Sequence, residues 1–381
     1  VSERRFTCVA TASFGLEAVV RSELESLGVE GARAEDMRVV FAASESDVAR
    51  CNIGLRAADR VLIEAASFPA ADFDALYEGV RAVPWRELLS PAPSVTVDAR
   101  SVRSRLTAVP AVQSVTKKAI VDAVSGGGRG HPARMAESGP HYDVQVVIHK
   151  DQASVCLDTT GPGLHKRGYR REKGEAPLRE NLAAALVLLS RWDASRPFAD
   201  PLCGSGTIAI EAAMIAGHVA PGAGRSFAAE QWPLIPPAVW KEAREEAHAA
   251  VLPVGELLID ASDRDPGMRG VAERNARAAG VAERIRFRAQ ALEAFQSDSD
   301  YGCLVCNPPY GERLGDEETA HRLYGSMGDL HRRLPTWSFF ALSAREDFQR
   351  SFGERATRNR KLYNGNLRCW FYQYFGPLPR R

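Results

Sequence analysis

Ten residues, Phe198-Ala199-Asp200-Pro201-Leu202-Cys203-Gly204-Ser205-Gly206-Thr207, constrain the fold of this chain more than any other segment. They read as a short apolar strand ending in a glycine turn, and the apolar pattern Ile208 to Ala216 that follows reads as a helix. A strand, a glycine turn and a helix amino terminus in that order make a βα unit whose backbone N–H groups can approach a ligand closely. Gly204 to Ala209 formally fits G-x-G-x-x-[GA], so a dinucleotide has to be weighed. A nicotinamide-type fold places its ribose-binding acid about 20 residues further on, and the stretch Gly222 to Phe227 holds no acid. The next suitable carboxylate is Asp263, far beyond that distance and just after the strand-like Leu257-Leu258-Ile259. Asp200 ahead of the glycines suits a ligand carrying an ammonium group, whereas it would repel a pyrophosphate. The combination favours S-adenosylmethionine over NAD.

A second constraint is Asn307-Pro308-Pro309-Tyr310, at the end of the apolar run Cys303 to Cys306. An exocyclic base amine is a poor nucleophile because its lone pair is delocalised into the ring. The Asn307 side-chain oxygen and the Pro308 carbonyl can each accept one amine hydrogen, which turns the lone pair toward an electrophile. Consecutive prolines lock φ, and Tyr310 offers a ring on which a planar base can stack. No tuned acid or nucleophile is required, because a sulfonium donor is already activated. Taken alone, the tetrapeptide is also compatible with an ordinary strand-ending turn. The run Gly311 to Gly315 beside it offers Arg313 as a residue that orders the substrate loop, or a simple loop.

Together, D-P-L-C-G-S-G-T, the Asp263 segment with a helix expected over Ala272 to Gly280, and N-P-P-Y-G-E-R-L-G resemble a Rossmann-fold methyltransferase acting on nucleic-acid amino groups. Gly163 to Arg170, Ala176 to Ala183, Arg225 to Pro233 and Lys361 to Gly365 are similar to one branch. That branch is the THUMP-containing guanine-N2 methyltransferases of large-subunit (23S) ribosomal RNA, the RlmL and YpsC type. The resemblance covers nearly the whole chain. It implies an α/β fold in which a Rossmann-like methyltransferase domain, a seven-stranded mixed sheet, follows an α+β ferredoxin-like and THUMP module. It implies that Asp200, Leu202, Cys203, Gly204, Ser205, Gly206 and Thr207 surround the methionyl part of the donor. Asp263, with Arg264 beside it, would meet the ribose, and Asn307, Pro308, Pro309 and Tyr310 would hold the target base against the donor. Relatives commonly place an Asp against the adenine amino group, where this chain reads Ala291, with Gln290 adjacent as a substitute acceptor. A lost hydrogen bond is worth about 1 kcal/mol, so weaker donor binding with methyl transfer retained is expected. Adenine-N6 methylation of RNA or DNA stays open, because the same acceptors grip an adenine amine. So does a non-catalytic RNA-binding assembly factor.

Length and composition bound these readings. At 381 residues, 45% hydrophobic and 25% charged, the chain can bury two good-sized cores. The expected division is a ferredoxin-like region over 1–56, a THUMP domain over 57–160, a linker over 161–182 and the methyltransferase domain over 183–381. No apolar run approaches the ~20 residues of a membrane span and no signal-type leader is read, so a cytoplasmic protein is expected. Seven cysteines and eight histidines are dispersed without a zinc pattern, and no metal is expected.

In the amino-terminal half, strands are expected at Phe6–Ala10, Met37–Ala42, Val61–Ala66, Ser94–Ala99, Tyr142–Ile148 and Gln152–Asp158. Helices are expected at Gly15–Leu27, Glu45–Ile53, Phe73–Val83 and Ala111–Val124, with a polar connection from Gly126 to Gly139. The formal charge of +1 hides local asymmetry. Between Ala99 and Val121 there are five basic residues, Arg100, Arg103, Arg105, Lys117 and Lys118, and no acid. The last 27 residues hold seven basic residues and no acid, and the junction adds Lys166, Arg167 and Arg170. Such acid-free runs suit a phosphate-tracking surface, so RNA, as 23S ribosomal RNA or an assembly intermediate, is the expected partner. The aromatic residues interleaved there, Tyr363, Trp370, Phe371, Tyr372, Tyr374 and Phe375, suit a buried final strand better than a stacking platform.

Overall fold

Strand propensity and turn chemistry agree from the first residues onward. A computed structural model describes residues 4–127, 135–170, 178–255, 259–310 and 316–379. The polar connection over 128–134, linker residues 171–177, Leu257 and Leu258, and the loop Gly311–Gly315 with Arg313 lie outside the described residues.

Seven strands form the first sheet: β1 (Arg5–Thr11), β2 (Arg33–Glu35), β3 (Arg38–Ser44), β4 (Arg60–Pro69), β5 (Ser94–Val102), β6 (His141–His149) and β7 (Gln152–Asp158). Their order is β2-β3-β1-β4-β7-β6-β5, with β5 and β6 parallel and the other neighbours antiparallel. The β6–β7 hairpin turns on Lys150 and Asp151, both at positive φ (52° and 60°), the geometry of a tight two-residue hairpin connection. Helix Glu45–Gly54 starts where Ser44 and Asp47 form a reciprocal capping box, and Asp72 caps helix Phe73–Arg81. Helix Val109–Ser125 ends at Gly126, which takes φ +74°.

The expected ferredoxin-like and THUMP regions are not separated by a gap in pairing. β4 pairs with β1 on one side and β7 on the other, so one continuous sheet runs through both. Buried Asn52 ties helix Glu45–Gly54 to the end of β7, donating to the Thr159 hydroxyl at 2.9 Å and accepting from the Thr160 hydroxyl at 2.7 Å.

The second sheet comprises β8 (Phe198–Asp200), β9 (Ile259–Asp263), β10 (Ile285–Ala289), β11 (Cys303–Cys306), β12 (Ser338–Ser343), β13 (Arg358–Asn364) and β14 (Leu367–Tyr374). Its order is β10-β9-β8-β11-β12-β14-β13, parallel from β10 to β12 and antiparallel at β14 and β13. This is the expected seven-stranded mixed sheet. β8, β11 and β12 are buried along their whole length, as strands covered on both faces must be. On one face Tyr324, Met327 and Leu330 of helix Asp316–Arg333 pack with Phe339, Phe348, Phe352, Tyr372 and Tyr374.

The chain divides into two compact units whose borders depart from the expected ones. The first holds the chain up to Ala12, Arg21–Leu164 and Ser226–Glu246; the second holds Ser13–Val20, His165–Arg225 and Ala247 onward. Residues 226–246, expected in the methyltransferase half, belong with the first sheet for a visible reason. The Trp232 indole stacks on Tyr142 at 4.6 Å and donates to the His141 carbonyl at 2.9 Å, and Phe227 stacks on Trp240. Likewise the expected helix at Ala272 begins earlier, at Pro266, because Asp265 caps it by accepting from the Gly267 N–H at 2.8 Å.

Candidate active site

Strand order creates the site. From β8 the chain builds outward through β9 to β10, then returns to place β11 on the other side of β8. That reversal is a topological switch point, where ligands bind beyond the carboxyl ends of the strands. Asp200 ends β8, Asp263 ends β9, Asn307 follows β11, and β8 and β11 pair directly through Phe198 and Cys303. Three segments far apart in sequence thus meet at one sheet edge, neighbouring strands lying about 4.8 Å apart.

Each turn is held by identifiable contacts. Gly206 takes φ +84°, and a Cβ there would come within 2.9 Å of Ala272 Cβ, so only glycine lets helix Thr207–Ala216 start this close to helix Pro266–Ala278. Gly204 also has positive φ (+50°), and the space beside its Cα is open. The Asp263 carboxylate accepts from the Gly204 N–H at 3.0 Å and the Asp265 N–H at 2.9 Å, locking the two turns together. The Cys203 N–H donates to the Ser262 carbonyl at 2.9 Å, and the Ser205 and Thr207 hydroxyls lie 3.3 Å apart. Leu202 and Ser205 are half-buried, and Arg264 is exposed. The Gln290 N–H donates to the Asp263 carbonyl at 2.8 Å, and Ala291 is exposed and starts the short turn Leu292–Ala294. Asn275 escaped the sequence reading: it is buried and its amide donates to the Ser205 carbonyl at 3.0 Å. Its only sequence signal is a polar residue three positions after Ala272, on the inward face of the helix.

Asp200 is the electrostatic centre. It is 1% exposed, and burial pushes its carboxyl well above the usual range, with neighbouring Asp263 adding to the shift. The Leu202 N–H donates to it at 3.3 Å, and among the described residues no cation pairs with it. A buried carboxylate lacking a counter-ion beside open glycine backbone fits a ligand that brings an ammonium group. The residues present therefore fit S-adenosylmethionine.

The Asn307 turn is braced twice. The Tyr310 hydroxyl donates to Asn307 Oδ1 at 2.5 Å, and the Tyr324 hydroxyl donates to the Pro309 carbonyl at 3.0 Å. The sequence offered Tyr310 as a stacking ring; its hydroxyl also fixes the carboxamide. An amide oxygen has two acceptor sites, so one remains for an amine. Tyr324 lies completely buried on helix Asp316–Arg333 and was not foreseen. The seven cysteines are buried as free thiols, and burial raises those of Cys303, to about 12, and Cys306, which disfavours nucleophilic chemistry.

Among the expected phosphate contacts, Arg100, Arg103, Arg105, Lys118 and Lys166 are exposed. Lys117 pairs with Glu137 at 2.9 Å, and Arg105 lies 3.6 Å from Asp151. Arg167 and Arg170 are corrections. Arg167 forms an ion pair with Glu211 at 3.5 Å, the side chains 1% and 0% exposed. Arg170 pairs with Glu180 at 2.9 Å (8% and 6% exposed) and donates to the Leu178 carbonyl. Both guanidinium groups neutralise buried carboxylates, so neither faces a phosphate. Glu317, His321 and Asp347 also converge, their ligand atoms within 4.8 Å. The Arg345 guanidinium already bonds Glu317 at 2.5 Å and Asp347 at 2.8 Å, which supplies the positive charge a metal would bring. Among the described residues no helix is long and apolar enough to cross a membrane.

Comparison with known proteins agrees with this geometry. Residues 167–373 match the RMKL-like methyltransferase domain, 7–62 the RlmL ferredoxin-like domain and 70–158 the THUMP domain. A Bacillus subtilis (strain 168) protein named as an RNA methyltransferase, YpsC, is 41% identical over 99% of this chain and 98% of its own length. The ribosomal RNA large subunit methyltransferase K/L of Vibrio campbellii is 35% identical over 95% of this chain, which spans only 52% of that relative. Among solved structures, a Listeria monocytogenes protein named as an N6-adenine-specific DNA methylase has a TM-score of 0.92 at 44% identity, covering 98% of this chain and 97% of its own. SMU.472, named as a methyltransferase and solved with SAH, has a TM-score of 0.91 at 41% identity, with 100% of each chain covered. The chain belongs to the RMKL-like family of S-adenosylmethionine-dependent methyltransferases, preceded by RlmL-type ferredoxin-like and THUMP domains.

Proposed function

We propose that the chain methylates the exocyclic N2 amine of a guanine in large-subunit ribosomal RNA. The observation that carries this reading is the adjacency of Asp200 and Asn307 beyond neighbouring strands β8 and β11. When bound, S-adenosylmethionine supplies an activated methyl group. Asp200 neutralises the ammonium of the donor, Gly204 to Thr207 let its backbone approach closely, and Asp263 orders the turn at the ribose. Asn307 Oδ1 and the Pro308 carbonyl accept the two amine hydrogens and hold the nitrogen in line. Bracing by Tyr310 and Tyr324 removes the freedom of that turn before the base arrives, so less entropy is lost on binding. A paired guanine hides its N2, so the base must leave its stack to enter the site. The relatives named as RNA or ribosomal RNA methyltransferases and the THUMP match support RNA as the substrate class.

The test is incubation with labelled S-adenosylmethionine and unmodified large-subunit ribosomal RNA, followed by digestion and identification of the nucleoside. N2-methylguanosine is the expected product. Methylation confined to adenine N6 would replace this reading with the alternative the same acceptors allow. Absence of donor binding would leave an RNA-binding assembly factor.

A further inference from the structure

We infer that Phe14, from the amino-terminal ferredoxin-like sequence, joins Tyr363 in a platform on which an unpaired RNA base next to the target nucleotide stacks. The inference rests on the proposed RNA methylation and adds the neighbouring nucleotide's binding place.

The register of the second sheet carries the argument. Cys306 pairs with Ala341, Ala341 with Tyr372, and Tyr372 with Asn359, so these residues mark one level across the sheet. β14 runs antiparallel to β12, and β13 runs antiparallel to β14, so β13 ends at the edge where Asn307 lies. Tyr363 is four residues beyond Asn359, which at about 3.3 Å per residue puts it roughly 13 Å past the level of Cys306. The β13–β14 hairpin therefore overhangs the candidate active-site edge.

Phe14 sits on that overhang and belongs to the same compact unit. Its ring meets Tyr363 edge-on at 6.1 Å and is 46% exposed. The next residue, Gly15, has φ +88°, and a Cβ there would come within 2.9 Å of the Lys361 carbonyl. Arg360 donates to the Gly15 carbonyl at 2.8 Å, so the Phe14 loop is fastened to β13. A series of neighbouring groups leads back to the site. Leu362 lies under Gly15 and pairs across the hairpin with Cys369, whose sulfur is 3.9 Å from the Tyr310 hydroxyl that holds Asn307.

Charge selects the occupant. Lys361 stands over the Tyr363 ring at 5.4 Å and Arg368 over Trp370 at 5.9 Å. From Arg355 to the chain end there is no acid, although Arg368 reaches Glu346 at 2.5 Å. The exposed Phe14 ring, braced edge-on by half-buried Tyr363 and flanked by the Lys361 and Arg368 cations, fits single-stranded nucleic acid, a base stacking on the ring while its phosphate meets a cation. An apolar protein partner would not need the cations.

The experiment measures methyl transfer to unmodified large-subunit ribosomal RNA transcribed in vitro, with donor affinity as control. Phe14→Ala and Tyr363→Ala should each raise the KM for RNA about tenfold, the range expected of one base-stacking ring, with donor affinity unchanged. Phe14→Trp should retain wild-type KM, whereas Phe14→Leu, which keeps apolar packing, should behave like Phe14→Ala. A 4-thiouridine transcript should cross-link to peptides containing Phe14 or Tyr363. Wild-type KM in both alanine variants, or full rescue by leucine, would overturn the platform and leave a packing or protein-docking role. If the wild-type protein transfers no methyl to this RNA, the parent reading fails and the platform falls with it. Activity that both alanine variants leave untouched sinks the platform alone.

Discussion

The two sheets have the same number of strands and do different work. In the second, parallel pairing from β10 to β12 puts the carboxyl ends of successive strands at one edge, so Asp263, Asp200 and Asn307 meet there. In the first, most neighbours pair antiparallel and strand ends alternate, and the exposed expected phosphate contacts Arg100, Arg103, Arg105 and Lys118 lie on β5, which pairs parallel to β6, in the loop after it and on helix Val109–Ser125. The second sheet gathers its chemistry at the ends of three parallel strands, whereas the expected phosphate contacts of the first are spread over a strand, a loop and a helix face. The arginines make the same contrast: Arg100 and Arg103 are exposed, while Arg167 and Arg170 are consumed inside the second unit.

The sharpest way to break this comparison is at the concentrated site. Asn307→Ala is expected to lower turnover about a thousandfold, roughly 4 kcal/mol in the barrier, with donor affinity unchanged by calorimetry. Asp263→Ala should chiefly weaken donor binding. Comparable losses of donor affinity in the two variants would mean that the edge does not divide its tasks.

Next in size is the buried pair. Arg170→Ala leaves Glu180 buried without its cation, whose burial already raises its carboxyl, and should cost about 3 kcal/mol in chemical denaturation. An unchanged midpoint, with RNA affinity lost instead, would return Arg170 to the phosphate-binding set.

Asp200 sets the pH dependence. Its folded pKa lies above the ordinary 3.8, so its contribution to stability is present at low pH and is lost as pH rises through the raised value. Donor affinity should run the opposite way, climbing with pH until Asp200 is ionised in the free protein. Titrations across pH should show this slope in the wild type and a flat, weaker profile in Asp200→Asn. A pH-independent wild type would remove Asp200 from ammonium binding.

The smallest effects belong to the spread charges. Lys118→Ala or Arg100→Ala should weaken RNA binding only a few-fold and reduce the salt slope by about 0.7–0.9 for each phosphate no longer neutralised. Loss of salt dependence after a single substitution would mean that this face, too, concentrates its function. Deleting residues 1–160 is a poor test of the same idea, because Ser13–Val20 belong to the second unit.

What was readable in advance follows from the range of the forces involved. The strand Gln152–Asp158 and the helix starting at Glu45 were legible because alternation, caps and turn residues act over a few positions. Asp200, Asp263 and Asn307 could be singled out because a glycine turn and a proline-locked turn carry their chemistry locally. Bracing was invisible: Tyr324 reaches Pro309 and Asn275 reaches Ser205 through folds of the chain that no local pattern records. The charge of Arg167 and Arg170 was equally plain in the sequence, but whether a guanidinium meets solvent or a buried carboxylate is settled by burial. By itself, then, the sequence determined many of the elements and the chemical character of the turns, which are short-range or periodic properties, while the sheet type followed from the family resemblance. Tertiary structure alone decided that Trp232 returns to the first sheet, that Phe14 sits on the second unit's hairpin, and which cations face solvent, because each depends on packing between residues distant in the chain.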